Sequence, residues 1–81
     1  MSREEVLNLV RNHLAEELEL DADKIGETSR FKEDLDADSL DLYELVMELE
    51  DTYGISVSEE QAAKIATIGD AVDFVLEHAP A

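Results

Sequence analysis

The sequence predicts an all-α fold, a small four-helix bundle with three main helices, one short helix and a long loop between the first two. Three observations support this prediction. The 81 residues are enough for only one small domain. Apolar residues recur at helical spacing in separate segments, and each segment begins at a residue type that commonly caps a helix. Residues 1–81 are therefore expected to form one domain, with an aliphatic core because only 5% of the residues are aromatic.

The first helix is predicted over Arg3–Glu19, because Ser2 and Glu5 have the spacing of a capping box. Its apolar residues recur at helical spacing: Val6, Leu7, Val10, Leu14 and Leu18. A long connection follows over Leu20–Ala37, and loops of this length are uncommon in compact domains. Three apolar residues are expected to anchor it in the core: Ile25, Phe31 and Leu35.

The second helix is predicted to begin after Asp38, a favourable N-cap residue with Asp41 at the matching third position. It is expected to end near Tyr53, where Gly54 can adopt the left-handed conformation that commonly terminates a helix. Successive residues lie about 100° apart around a helix. This spacing places five side chains on one core-facing stripe: Leu42, Leu45, Val46, Leu49 and Tyr53.

Two further helices complete the predicted bundle. A short third helix starts at a capping box formed by Ser58 and Gln61 and is expected to reach about Ile65. The last helix starts at Thr67, with Asp70 in the matching position. Three of its side chains are expected to face the core: Val72, Val75 and Leu76.

The charge balance is the most unusual property of the sequence. Twenty-two acidic residues against six Lys and Arg give a formal net charge of −16. Such a charge repels nucleic acids and anionic membranes, and it attracts basic protein surfaces and metal cations. It also opposes compaction, so the melting temperature is expected to rise with added salt or divalent cation, and a melting temperature unchanged by salt would contradict this. The absence of cysteine excludes a disulfide, a thiolate nucleophile and a zinc site of the usual kind.

The cytoplasm is the expected compartment. The N-terminal residues MSREEVLNLV contain neither the basic region nor the long apolar run of a secretory signal. No segment approaches the roughly 20 consecutive apolar residues that a membrane span requires.

The alternating aspartates that begin at Asp34 suggest a calcium-binding loop. An EF-hand needs aspartates at positions 1, 3 and 5, glycine at 6 and a bidentate glutamate at 12. With Asp34 as position 1, Asp36 and Asp38 fit, but Ser39 and Leu45 occupy positions 6 and 12. No dedicated metal site is therefore predicted, although weak divalent binding by clustered carboxylates is expected.

A catalytic role for Ser39 is not predicted. A nucleophilic serine needs a base within hydrogen-bond reach, usually a histidine, and an oxyanion hole. The two histidines, His13 and His78, are interpreted as ordinary surface or edge residues, and the sequence contains no G-x-S-x-G motif. The chain is therefore predicted not to be an enzyme.

The outer side of the second helix combines acidic and apolar residues. The acids are Asp41, Glu44, Glu48 and Asp51, and the apolar strip beside them is Leu40, Tyr43 and Met47. No Lys or Arg occurs between Glu33 and Ala63 to offset the acidic charge. Such a surface suits partner docking, although the acids could also form a solvated face and the apolar strip could widen the core face.

Ser39 is predicted to lie exposed in the first turn of this helix. The free backbone N–H groups and the positive end of the helix dipole favour an anionic group there, such as a phosphodiester. An exposed serine without a base is better interpreted as a substrate for modification than as a catalyst. The alternative is an ordinary serine at a helix start.

The segment DADSLDLYELVMELEDTYGI resembles the carrier signature of acyl carrier proteins. The resemblance extends over nearly the whole chain and includes FKEDLDADSLD in the long loop and EEQAAKIATIGDAVDFV near the C-terminus. It implies a four-helix fold and a 4′-phosphopantetheine group on Ser39, transferred from coenzyme A by a separate magnesium-dependent transferase. It also implies an acyl chain sheltered between the helices, where three alanines leave room beside the third helix: Ala62, Ala63 and Ala66.

The resemblance further implies that partner enzymes dock basic patches on the second helix. The implied acidic contacts are Asp38, Asp41, Glu44, Glu48, Glu50 and Asp51, and the apolar contacts are Leu40, Tyr43 and Met47. Two positions depart from the family pattern. Asp36 stands where many fatty-acid carriers have glycine, and Tyr43 stands where a smaller aliphatic residue is common.

The resulting hypothesis is a monomeric, non-catalytic carrier of acyl thioesters in fatty acid synthesis, most similar to the freestanding bacterial carriers. Its implied partners are a phosphopantetheinyl transferase and the synthase enzymes. A polyketide carrier and an aminoacyl carrier remain as alternatives. The alternative from another class is an acidic divalent-ion or protein-interaction module that is never modified.

Overall fold

The computed structural model describes residues 2–79 and shows a helical bundle. Its α-helices are α1 (Arg3–Leu18), α2 (Ser39–Tyr53), α3 (Glu59–Ala63) and α4 (Ile68–His78). A 3-10 helix, Ala22–Lys24, interrupts the long loop between α1 and α2. These residues contain no strand beyond an isolated bridge between Arg30 and Thr67. The predicted all-α fold is confirmed, and Pro80, predicted to lie in a frayed tail, is outside the described residues.

The core is almost entirely aliphatic, as predicted. Helix α1 packs mainly against α4 and to a smaller extent against α2. The largest fully buried side chains come from α1, α4, α2 and the long loop: Leu14, Ile25, Leu45, Ile68, Val6, Val10, Val72 and Val75. The loop anchors Phe31 and Leu35 are also buried. No polar or charged residue between Ser2 and Ala79 is buried, so the core supplies stability through apolar burial.

The long loop is held in place by backbone hydrogen bonds to the start of α4. The Phe31 N–H donates to the Ala66 carbonyl over 3.0 Å, and the Gly69 N–H donates to the Glu27 carbonyl over 2.8 Å. A Cβ atom at Gly69 would lie only 3.1 Å from that carbonyl, so the close approach favours glycine. These hydrogen bonds help to offset the conformational entropy that the loop loses when it is ordered, and they fix the segment that precedes Ser39.

The helix boundaries differ slightly from the predicted ones. Helix α1 ends at Leu18, and Glu19 follows in the left-handed conformation with φ of 56°. Helix α3 ends at Ala63 rather than near Ile65. The predicted capping box of α1 is half formed, because the Ser2 hydroxyl accepts the Glu5 N–H over 3.2 Å while no reciprocal bond is present between these two residues.

The prediction that Leu76 faces the core is wrong, since its side chain is 37% exposed. The buried residues of α4 recur at helical spacing and form one stripe: Ile68, Ala71, Val72 and Val75. At about 100° per residue, Leu76 lies about 40° beyond Val72, outside the edge of this stripe. Phe74, which is half-buried, instead packs against the edge of the core.

Candidate functional site

Ser39 is the first residue of α2, and a reciprocal capping box fixes this helix start. The Asp38 carboxylate accepts the Asp41 N–H over 2.9 Å, and the Asp41 carboxylate accepts the Asp38 N–H over 3.2 Å. Both predicted caps are confirmed, and Gly54 ends the helix with φ of 66° as expected. Ser39 itself is exposed, so another protein can reach its side chain.

The start of α2 can accommodate an anionic group. Helix starts leave N–H groups without partners inside the helix. Here the Asp41 N–H is capped by Asp38, and the Leu42 N–H donates to the Asp38 carbonyl over 3.2 Å. The N–H groups of Ser39 and Leu40 donate to no other described residue. Together with the helix dipole, these two donors favour a negatively charged substituent on the Ser39 oxygen.

Asp36 adopts a backbone conformation that favours glycine. Its φ is 56°, in the left-handed region. Aspartate tolerates this region better than most residues but still less well than glycine. The turn is closed by the Ala37 N–H, which donates to the Phe31 carbonyl over 2.7 Å and directs the chain toward Asp38. The left-handed turn explains why glycine would suit this position better than aspartate.

Asp36→Gly is therefore expected to be more stable than Asp36→Ala by about 1 kcal/mol. Both variants remove the same negative charge, so the difference between them reports the backbone: the steric cost of alanine in the left-handed region outweighs the smaller entropy that alanine loses on folding. Urea denaturation followed by circular dichroism measures the two free energies of unfolding. Equal stabilities would contradict the left-handed conformation at Asp36.

Two cavities open beside the helix start, between the long loop, α2 and α3. One has a volume of about 210 Å³ and is lined by Ser39, Lys32, Tyr43 and Glu59 among others. The second has a volume of about 170 Å³ and extends toward Phe31. Four residues line both cavities: Lys32, Leu42, Ala63 and Ile65. The three alanines that were expected to leave room beside the third helix also contribute to these walls: Ala62, Ala63 and Ala66.

The apolar strip predicted on the outer side of α2 is exposed rather than part of the core. Leu40 is 64% exposed, Met47 is 61% exposed and Tyr43 is 46% exposed. Tyr43 and Met47 also border a third cavity, of about 280 Å³, between α2 and the segment before α3. Large apolar side chains this exposed are a typical feature of a binding surface. We call this strip and the acids around it the α2 face: Asp38, Leu40, Asp41, Tyr43, Glu44, Met47, Glu48, Glu50 and Asp51.

The acids of the α2 face differ in whether they bind other residues of the chain. Asp38 and Asp41 cap the helix, and the Glu50 carboxylate accepts the Val57 N–H over 2.8 Å. Glu48 contacts His13 on α1. Glu44 and Asp51 are exposed and make no hydrogen bond or ion pair with another described residue. Sequence reasoning treated all these acids alike, because it could not show which ones bind within the chain.

The histidines do not provide a base for Ser39. His13 joins α1 to α2, with its Nε2 atom 3.0 Å from a Glu17 carboxylate oxygen and its Nδ1 atom against Glu48. His78 lies at the end of α4, with its ring centroid 4.1 Å from that of Phe74. Neither histidine lines the cavities beside Ser39.

The alternating aspartates do not converge as calcium ligands. Asp34 accepts hydrogen bonds from the guanidinium and from the backbone N–H of Arg30, which hold the pKa of the Asp34 carboxyl below its ordinary value. A different set of carboxylates comes together, with oxygen atoms of Glu17, Asp41 and Glu44 all within 4.8 Å of one another. Exposed acids commonly approach this closely without an ion, so the geometry assigns no metal to them.

Comparison with known proteins agrees with this geometry. The family model described as "Phosphopantetheine attachment site" matches residues 8–75, which include Ser39 and all of α2. The chain belongs to the acyl carrier protein family. It is 44% identical over 78 residues to an acyl carrier protein of Lactobacillus acidophilus, covering 96% of this chain and 98% of that one. It is 46% identical over 78 residues to one of Rubrobacter xylanophilus, with 96% of each chain covered.

The fold is also shared with a solved acyl carrier protein. The structure from Enterococcus faecalis, described as having high thermal stability, has a TM-score of 0.83 and 40% sequence identity. The match covers 98% of this chain and 100% of that chain. The chain is therefore a non-catalytic carrier, and its family carries a covalently attached 4′-phosphopantetheine arm.

The residues at the start of α2 fit such an arm. Ser39 is exposed, the N–H groups of Ser39 and Leu40 donate to no other described residue, and the adjoining cavity can receive the arm. Family membership also implies interaction with a phosphopantetheinyl transferase and with synthase enzymes. None of the helices described between Arg3 and His78 is long and apolar enough to cross a membrane.

Proposed function

We propose that residues 1–81 act as a single carrier domain that holds acyl groups as thioesters on a phosphopantetheine arm attached to Ser39, in fatty acid biosynthesis in the cytoplasm. The observation that carries this proposal is the exposed Ser39 at the first residue of α2, beside two N–H groups that have no partner among the described residues. In the attachment reaction the Ser39 oxygen bonds to the phosphorus that carries the pantetheine of coenzyme A. The pyrophosphate bond breaks, adenosine 3′,5′-bisphosphate leaves, and the hydroxyl proton passes to the transferase.

The chain's own residues have a positioning role in this reaction. Asp38 and Asp41 fix the helix start, and the free N–H groups favour the phosphate charge that forms on Ser39. The chain has no cysteine, so the thiol that forms the thioester belongs to the arm. Leu42, Ala63 and Ile65 contribute apolar wall to both cavities, against which an acyl chain could pack.

Acyl transfer to the loaded chain tests the proposed pathway. The chain bearing the arm is incubated with malonyl-coenzyme A and the malonyl transferase of a bacterial fatty acid synthase. The intact mass is expected to rise by one malonyl group, and hydroxylamine is expected to remove the group because it is a thioester. The chain without the arm is the control and should gain nothing. The role in fatty acid synthesis would be contradicted if the loaded chain accepted the malonyl group only from polyketide-type transferases.

Partner enzymes are proposed to dock on the α2 face through its exposed acids and apolar strip. Glu44 is exposed and free of ion pairs with the described residues, so a basic side chain of a partner can reach it. Leu40, Tyr43 and Met47 offer the apolar contact beside it. Charge complementarity of this kind guides encounter and gives binding that weakens with salt.

Glu44→Lys is expected to weaken binding to the transferase about fivefold, because the change turns an attraction at the surface into a repulsion. Isothermal titration calorimetry measures the affinity at low and high salt. Glu16→Lys changes an exposed acid on α1 by the same charge and serves as the matched control. Equal loss in the two variants, or an affinity of the wild type that does not change with salt, would argue against docking at the α2 face.

A further inference from the structure

Lys32 is the one cationic side chain on the walls of the two cavities beside Ser39. It lines both cavities, and Ser39 lines the larger one, of about 210 Å³, together with it. The charged residues around it on these walls are all acidic: Glu33, Asp38 and Glu59. A single positive charge is thus placed next to the attachment position in a strongly acidic region.

Lys32 also differs from the arginines of the chain in having no partner among the described residues. Arg3 pairs with Glu27 and Asp73, Arg30 pairs with Asp34, and Arg11 donates to the Ile25 carbonyl over 2.8 Å. No carboxylate between Ser2 and Ala79 lies within 4.0 Å of the Lys32 ammonium. Lys24 and Lys64 share this property, but neither lines the cavities beside Ser39, and Lys64 lines a different cavity, between α3 and α4. Lys32 is therefore available to bind an anion at Ser39.

We propose that the Lys32 ammonium pairs with the phosphodiester that joins the arm to Ser39 and directs the first part of the arm along the cavity beside α2. This inference rests on the proposed attachment at Ser39. The phosphodiester carries a full negative charge close to Asp36, Asp38 and Asp41, so it is placed in an unfavourable field. Lysine binds phosphate as a flexible point charge, and Lys32 is the cation placed to offset that field.

Nuclear magnetic resonance of the loaded chain tests this pairing. The ³¹P chemical shift and transverse relaxation rate of the phosphodiester are measured in the wild type and in Lys32→Gln, Lys32→Arg and Lys64→Gln. The ε-methylene shift of Lys32 is compared in the wild type before and after loading. Circular dichroism checks that each variant keeps its helices, which is expected because Lys32 is exposed.

The wild type is expected to show a ³¹P shift that changes with salt, because salt screens exposed charges. Lys32→Gln should reduce this salt-dependent change about two- to fivefold, in proportion to the strength of a typical exposed ion pair. Lys32→Arg should retain the salt-dependent change of the ³¹P shift, and Lys64→Gln should leave that change as it is in the wild type. The ε-methylene resonance of Lys32 in the wild type should move when the arm is attached.

Identical ³¹P shifts and relaxation rates in the wild type and Lys32→Gln would overturn the inference, even when Ser39 carries the arm. An equal effect of Lys64→Gln would also overturn it, because the effect would then report net charge alone. A chain that takes up no arm would overturn the proposed function, and the role of Lys32 with it. The two failures are therefore distinguishable.

Discussion

Ser39→Ala is expected to abolish the uptake of phosphopantetheine completely while the helical bundle stays folded. The variant loses only the hydroxyl oxygen, which is the atom that would bond to phosphorus. Ser39 is exposed, and its side chain makes no hydrogen bond with another described residue. The start of α2 is held by the capping box of Asp38 and Asp41 instead. The free energy of unfolding should therefore change by less than about 0.5 kcal/mol.

Ser58→Ala is the matched control, because it removes a serine hydroxyl from the start of another helix. The Ser58 hydroxyl accepts the Gln61 N–H over 3.1 Å and caps α3. Its loss should lower the free energy of unfolding by about 1 kcal/mol and leave the uptake of phosphopantetheine unchanged. Intact mass and urea denaturation are measured on both variants. Modification of the Ser39→Ala variant would show that another hydroxyl carries the arm.

Leu14→Ala is expected to have the largest effect on stability. Leu14 is completely buried on α1, and α1 packs mainly against α4. Removing a fully buried leucine side chain typically lowers the free energy of unfolding by about 3 kcal/mol. A domain of this length is usually stable by only about 4–12 kcal/mol. The melting temperature should therefore fall by about 15 °C, as measured by thermal denaturation.

Leu76→Ala provides the comparison, since it makes the same chemical change at a residue that is 37% exposed. Its effect on the free energy of unfolding should stay below about 1 kcal/mol, because little apolar area leaves the core. The pair thus tests the corrected position of Leu76 as well as the burial of Leu14. Similar losses in the two variants would mean that Leu76 does face the core.

The second helix could be predicted closely from the sequence because short-range signals specify both of its ends. Asp38 and Asp41 cap its start, and Gly54 adopts the left-handed conformation at its end. The long loop could be predicted only through its apolar anchors. Its order depends on backbone bonds such as the one from Gly69 to Glu27, and backbone groups leave no pattern in a sequence.

Part of the candidate site could also be predicted from short-range signals in the sequence. The position of Ser39 at the start of α2 follows from the caps beside it, and the structure confirms that position. The sequence could not show which acids of the α2 face bind within the chain. The contact of Glu48 with His13, for example, joins residues far apart in the sequence. Lys32 was also missed as a cavity residue. Its only sequence signal is that it is the last basic residue before the acidic run that contains Ser39.

The central claim is that Ser39 carries the phosphopantetheine arm. The wild-type chain is incubated with coenzyme A, magnesium and a phosphopantetheinyl transferase, then digested and fragmented in a mass spectrometer. The mass is expected to rise by one phosphopantetheine, and fragment ions are expected to place the whole increase on Ser39. An unchanged mass, or an increase located on any other residue, would contradict it.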